Sequence, residues 1–155
     1  MPEYLGIDSL LTIGSHPVVA LKTEKGLLKI ELYPEEAPLT VKNFLSLARK
    51  GFYDNLSFHR VVADFVIQGG DPLGDGWGGP GYVIPSEDNL LPYERGSVGI
   101  ATSGYDTGGC QFFICQSEQP HLTGNYTLFG KVIENIDIID SILPGDKILG
   151  IEIVK

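Results

Sequence analysis

Residues 57 to 71 read Ser57-Phe58-His59-Arg60-Val61-Val62-Ala63-Asp64-Phe65-Val66-Ile67-Gln68-Gly69-Gly70-Asp71. β-Branched and aromatic residues at this density predict strand, ended by the Gly69-Gly70-Asp71-Pro72 breaker. One permanent cation, Arg60, lies among Phe58, Val61, Val62, Phe65, Val66 and Ile67. An unpaired buried charge is very costly, so Arg60 must pair with a neighbour such as Asp54 or Asp64, or be presented to something. On this stretch alone both readings stand.

Around it the chain alternates short apolar runs with turns. Val18 to Thr23 and Leu27 to Leu32 flank Glu24-Lys25-Gly26 as a hairpin. Ser97 to Thr102, Gln111 to Gln116, Tyr126 to Val132 and Ile148 to Val154 predict further strands. The period changes over 38–50, where Val41, Phe44, Leu45 and Ala48 fall on one helical face. Pro38 suits the first turn of that helix, and Arg49-Lys50-Gly51 forms its stop signal. Ile136, Ile139 and Leu143 predict a second short helix, ended by Pro144-Gly145. Strands joined by hairpins with only two helices predict an antiparallel barrel or sandwich, because parallel strands would need crossover helices.

Composition fits one such domain. The chain has 155 residues, 43% hydrophobic and 20% charged, and its 20 glycines are roughly twice ordinary usage. Residues 1–15 form a mixed leader ahead of a domain over 16–155. The net charge of −9 argues against nucleic acid and anionic membrane as partners. No apolar run approaches the roughly 20 residues of a membrane span. The start lacks the basic and apolar regions of a secretory signal, so a cytoplasmic setting is expected.

The residues also narrow the chemistry. Cys110 and Cys115 lie too close on one strand to pair easily and read as buried thiols. His16, His59 and His121 are scattered, with no metal spacing, and His59 reads as a hydrogen-bonded structural residue. The run Gly74 to Gly81 has neither the Gly-Lys-Ser/Thr of a phosphate loop nor the ligand pattern of a calcium loop begun at Asp71. It reads as a turn that lets backbone approach closely. In Gln111-Phe112-Phe113-Ile114-Cys115, parity puts Gln111, Phe113 and Cys115 on one face and Phe112 and Ile114 on the other. With Arg60, Phe65 and Gln68, that face would make an apolar pocket edged by neutral amides and one fixed cation. Such a site works by hydrogen bonding and shape, since Arg does not shuttle protons at neutral pH.

Phe58-His59-Arg60-Val61-Val62, Phe65-Val66-Ile67-Gln68-Gly69-Gly70-Asp71 and Gln111-Phe112-Phe113-Ile114 resemble the signature segments of the cyclophilin peptidyl-prolyl cis-trans isomerases. Gly78-Gly79-Pro80-Gly81 and Phe129-Gly130-Lys131-Val132 fit the same pattern, and the short loops are similar to those of compact bacterial-type members. The resemblance runs from about residue 18 to the C-terminus. It implies a mainly β fold, a closed eight-stranded antiparallel barrel capped by two helices, and activity on X-Pro peptide bonds without a metal or other cofactor. It implies Arg60 as the catalytic residue, braced by Gln68. Phe65, Val66, Phe113 and Leu122 would line the proline pocket, and Gln111 with the backbone at Ala101 and Thr102 would hold the peptide. His121 and Tyr126 complete the implied set.

Four positions depart from the family's frequent residues. His121 stands for a tryptophan associated with tight cyclosporin binding, which implies reduced affinity for that drug. Tyr126 replaces a histidine, Val66 a methionine and Thr102 an asparagine, so preference around the proline is expected to differ. The implied partners are proline-containing peptides and unfolded or folded client proteins. The alternative is a peptidyl-proline binding or scaffold module with little turnover.

Overall fold

The structure is a computed structural model that describes residues 15–154. The expected leader, residues 1–15, therefore lies almost wholly outside the described residues. Eight strands form one antiparallel sheet: β1 Val18–Thr23, β2 Gly26–Leu32, β3 Arg60–Val62, β4 Val66–Gly69, β5 Ser97–Ile100, β6 Phe112–Cys115, β7 Leu128–Glu134 and β8 Ile148–Ile153. Their order across the sheet is β3-β4-β6-β5-β7-β2-β1-β8.

The first departure from expectation lies in the opening stretch, which is a hairpin rather than one strand. Asp64 takes the left-handed conformation (φ 59°), which Asp tolerates better than most residues. The Phe65 N–H then closes the turn on the Val62 carbonyl at 3.0 Å. A second departure concerns closure. The hydrogen-bonded ladder ends at β3 and β8, so the sheet curls without being a continuous closed barrel. Across that seam lie an isolated bridge between Ser57 and Lys147 and backbone bonds such as Phe58 N–H to the Asp146 carbonyl at 2.8 Å.

There is one α-helix among the described residues, not two: α1, Pro38–Arg49. The second expected helix is a five-residue 3-10 segment, Ile136–Asp140. Its apolar residues Ile136 and Ile139 lie three positions apart, which suits the tighter helix. α1 buries Val41, Phe44, Leu45 and Ala48 against the concave face. Phe44 meets the rings of Tyr53, Phe112 and Phe129 at 5.3, 5.6 and 5.2 Å. No helix among the described residues is long and apolar enough to cross a membrane.

The inward core takes Val61, Ile67, Val98, Ile100, Phe112 and Ile114. On β4 and β6 their sequence neighbours Val66, Phe113 and Cys115 belong instead to a second apolar cluster, with Tyr93, Leu122 and Leu128. A site on the outside of the sheet therefore has an apolar floor of its own.

Candidate active site

Strand register assembles the site. Arg60 pairs with Gln68, Gln68 with Phe113, and Phe113 with Gly99. Directly opposed residues share a face, so a guanidinium, an amide and an aromatic ring stand in one row across the sheet. On one unbroken strand Arg60 and Gln68 would lie about 26 Å apart; the hairpin at Asp64 makes them neighbours.

Gly99 is where the row needs room. A Cβ there would fall on the Tyr93 hydroxyl and 2.5 Å from Phe113 Cζ. Tyr93 stacks on Phe113 (5.6 Å, 24°) and donates its hydroxyl to the Tyr126 carbonyl at 3.1 Å. Burial, the largest effect, raises the Tyr93 hydroxyl far above its ordinary value, with nearby Cys115, Asp88 and Tyr126 adding to it. Tyr126 sits edge-on to Phe113 at 5.9 Å. The one-turn 3-10 helix Pro120–Leu122 brings Leu122 over the same floor.

These residues enclose a cavity of about 220 Å³ lined by Phe65, Val66, Phe113, Leu122, Tyr126, Ala101, Thr102, Gln68 and Arg60. Every implied site residue is thus brought together except two. His121 does not line the cavity; it stacks on Phe65 from outside (5.8 Å, 26°). Gln111 stands in the adjoining cavity of about 460 Å³, which shares Gln68, Ala101 and Thr102 with the first.

The polar edge is a directed chain. Gln111 Nε2 donates to the carbonyls of Gly76 and Gly78, both at 3.0 Å. That fixes its amide so that Oε1 accepts from Gln68 Nε2 at 3.2 Å. Gln68 Oε1 then faces Arg60, which donates from Nη1 at 3.4 Å. Arg60 is exposed, and its Cζ lies 5.7 Å from the Phe65 ring centroid, within cation–π range. Among the described residues no carboxylate forms an ion pair with Arg60, so the salt bridge to Asp54 or Asp64 is not made. The guanidinium keeps donors for something else.

Sequence reasoning missed what holds Gln111. Asp71 is buried and accepts N–H bonds from Leu73 (2.9 Å), Asp75 (3.0 Å) and Gly76 (2.5 Å). Burial works to raise its pKa, but the backbone donors outweigh it and hold the carboxyl below its ordinary value. A Cβ on Gly78 would collide with Asp71 Oδ1, so the close approach expected of this loop is made by its own carboxylate. His59 also departs from expectation: its Nδ1 is buried with no hydrogen-bond partner among the described residues. Burial leads in lowering its pKa; Asp71 and Asp75 oppose, and Arg60 adds to the lowering. Cys110 and Cys115 are free and buried, their thiols pushed up to about 12 chiefly by burial.

An apolar recess edged by amides and one guanidinium with no ion-pair partner among the described residues, on a curled antiparallel sheet, suits a ligand held by shape and hydrogen bonding. Comparison with known proteins gives the family. The family model described as "Cyclophilin type peptidyl-prolyl cis-trans isomerase/CLD" matches residues 18–148. A peptidyl-prolyl cis-trans isomerase of Synechococcus elongatus is 48% identical over 86% of this chain and 94% of its own length. Peptidyl-prolyl cis-trans isomerase B of Bacillus subtilis is 51% identical over 77% and 85%. The crystal structure of a Cryptosporidium parvum cyclophilin type isomerase superposes with a TM-score of 0.85 at 34% identity, covering 90% of this chain and 98% of that one. The chain belongs to the cyclophilin-type peptidyl-prolyl cis-trans isomerases, and its activity is isomerisation of X-Pro peptide bonds.

Proposed function

We propose that Arg60 carries this isomerisation by binding the twisted peptide bond more tightly than either planar form. Rotation about C–N faces about 18–20 kcal/mol because conjugation must be broken. Uncatalysed prolyl isomerisation accordingly takes tens to hundreds of seconds. As the bond twists, the proline nitrogen regains a lone pair and becomes a better acceptor. A guanidinium donor fixed beside it stabilises that state selectively. The observation that carries the reading is the donor chain from the Gly76 and Gly78 carbonyls through Gln111 and Gln68 to Arg60, at the lip of an apolar cavity of about 220 Å³.

Gln68 is a positioning residue in this scheme. Phe65, Val66, Phe113, Leu122 and Tyr126 grip the proline ring, and Gln111 with the backbone at Ala101 and Thr102 holds the flanking chain. His121 acts through Phe65 by stacking on its ring. A related Cryptosporidium parvum structure, 35% identical with a TM-score of 0.84, was solved in the presence of the dipeptide Ala-Pro, which supports a proline-bearing ligand. The working domain spans 16–155 and acts on folded and unfolded clients in the cytoplasm. Its acidic surface disfavours nucleic acid and anionic membranes, and with His121 in place of tryptophan it binds cyclosporin weakly.

Exchange spectroscopy on a short proline peptide reports binding and turnover together. Arg60→Ala is expected to lower kcat/KM about 10²–10³-fold, the usual cost of removing one donor aimed at developing charge. Arg60→Lys should restore little, because an ammonium lacks the planar fork. Equal rates for wild type and Arg60→Ala would overturn the assignment. Peptide binding with exchange at the uncatalysed rate would make the chain a scaffold module instead.

A further inference from the structure

The cavity of about 220 Å³ takes its apolar walls from two parts of the chain. Val66 and Phe113 stand on β4 and β6, whereas Leu122 and Tyr126 come from the connection between β6 and β7, outside the sheet. Strand pairing fixes the first two but not the second two. The distance across the cavity therefore depends on how that connection is fastened to the sheet.

Tyr93 is 1% exposed and lies four residues ahead of β5. It ties the connection at three points. Its carbonyl accepts from the Gln119 N–H at 2.8 Å, its N–H donates to Thr123 Oγ1 at 3.2 Å, and its hydroxyl donates to the Tyr126 carbonyl at 3.1 Å. The first two bracket the 3-10 turn Pro120–Leu122, and the third holds the backbone of Tyr126 itself. On the sheet side the ring stacks on Phe113 (5.6 Å, 24°), and the hydroxyl occupies the space that a Cβ on Gly99 would take. Tyr93 is anchored in turn at the first residue of β5. There the Glu94 N–H donates to Ser97 Oγ at 2.9 Å and the Ser97 N–H to the Glu94 carbonyl at 3.0 Å. Burial keeps the Tyr93 hydroxyl protonated well beyond neutral pH, so it serves as a donor throughout. A ring needed only for core volume would require neither that hydroxyl nor the gap at Gly99.

We propose that Tyr93 is a positioning residue for the isomerisation, a clamp that holds Leu122 and Tyr126 against Phe113 at the spacing a proline ring fills. This rests on the proline reading of the cavity. A recess made by two parts that move independently gapes or collapses part of the time. Apparent affinity then falls by the fraction of molecules in which the recess is competent. A tie of one hydrogen bond shifts such an equilibrium roughly two- to tenfold. Tyr93 does not line the cavity, so it acts through Phe113, Leu122 and Tyr126. The seating of the ring depends on it, and the twisting step at Arg60 does not.

The test is Tyr93→Phe, which removes the hydroxyl and keeps the ring stack and both backbone ties. For a blocked Ala-Pro tetrapeptide the expected result is KM raised roughly two- to tenfold, the worth of one hydrogen bond, with kcat within about twofold of wild type. In the peptide-free variant the Leu122 methyl and Tyr126 amide resonances should broaden or shift, and saturating peptide should restore them. Thr123→Val removes a second tie and should move KM and the same resonances in the same direction. A lower unfolding midpoint in Tyr93→Phe with KM and the Leu122 resonances unchanged would make Tyr93 an ordinary core residue and overturn the proposal. A loss carried by kcat with KM unchanged would also overturn it, because the effect would then lie on the twisting bond. The proline reading is tested separately in wild type. A proline peptide that leaves the Phe113 and Leu122 resonances unmoved overturns that reading and the clamp with it, whereas the outcomes in Tyr93→Phe overturn the clamp alone.

Discussion

Arg60 and Gly99 occupy the same row of the sheet and illustrate opposite demands on a single residue. In the proposed mechanism Arg60 keeps donors unspent, and it donates to a neutral amide at 3.4 Å rather than to a carboxylate. Gly99 must contribute nothing at all, because Phe113 and the Tyr93 hydroxyl already fill the space above it. Gly99→Ala would push both rings off the floor of the 220 Å³ cavity proposed to take proline. Overpacking of this kind costs about 1–3 kcal/mol. The expected outcome is a lower urea midpoint with an unchanged slope, together with a raised KM for short proline peptides. Wild-type stability and KM in that variant would mean the floor yields more easily than its packing implies.

At the scale of elements, the loop 71–81 does for the site what secondary structure does elsewhere. Its order comes from one buried carboxylate accepting several backbone donors, and its carbonyls set the amide of Gln111. Asp71 has a folded pKa below its ordinary value, so its contribution to stability is present above the unfolded carboxylate pKa near 4. It is lost as pH falls through the lowered folded value. Gly76 and Gly78 should then release Gln111 in acid, which amide resonances of the loop would report below about pH 4. Asp71→Asn should show that loosening already at neutral pH and flatten the acid dependence. A loop whose resonances are unmoved by acid or by Asp71→Asn would contradict this account. α1 is similarly ordered from a distance: Glu87 accepts from the N–H groups of Leu39 and Thr40 and from the Thr40 hydroxyl, at 3.0, 2.7 and 2.8 Å. The apolar stripe of α1 is visible in sequence; a cap supplied from 47 residues away is not.

For the whole molecule, what could be read from sequence was what depends on near neighbours. Parity separated Phe113 from Phe112, and the 3.6-residue period located α1. The residues proposed to grip proline came from resemblance, since Leu122 and Tyr126 reach Phe113 only through long-range packing. Asp64 hid the hairpin, because an Asp inside an apolar run carries no visible mark of positive φ. The seam was equally hidden, and it carries the last expectation. β3 is three residues long, and Asn55, five residues ahead of it, takes φ 65°; regular pairing stops short of β8. What joins them is a set of single backbone bonds: Asn55 N–H to Ile148 O, Ile148 N–H to Leu56 O, and Gly145 N–H to Phe58 O, at 2.8, 2.7 and 2.9 Å. Local opening needs little more than breaking these, whereas β6 and β7 are paired on both sides within the sheet. In native-state hydrogen exchange, the amides of Asn55, Phe58, Gly145 and Ile148 should exchange through local opening. Those of Ile114 and Val132 should wait for global unfolding. Because Arg60 begins β3, peptide bound across Arg60 and Phe113 should slow exchange at the seam as well. Seam amides that exchange only on global unfolding would instead describe a sheet that is closed in its energetics though open in its ladder.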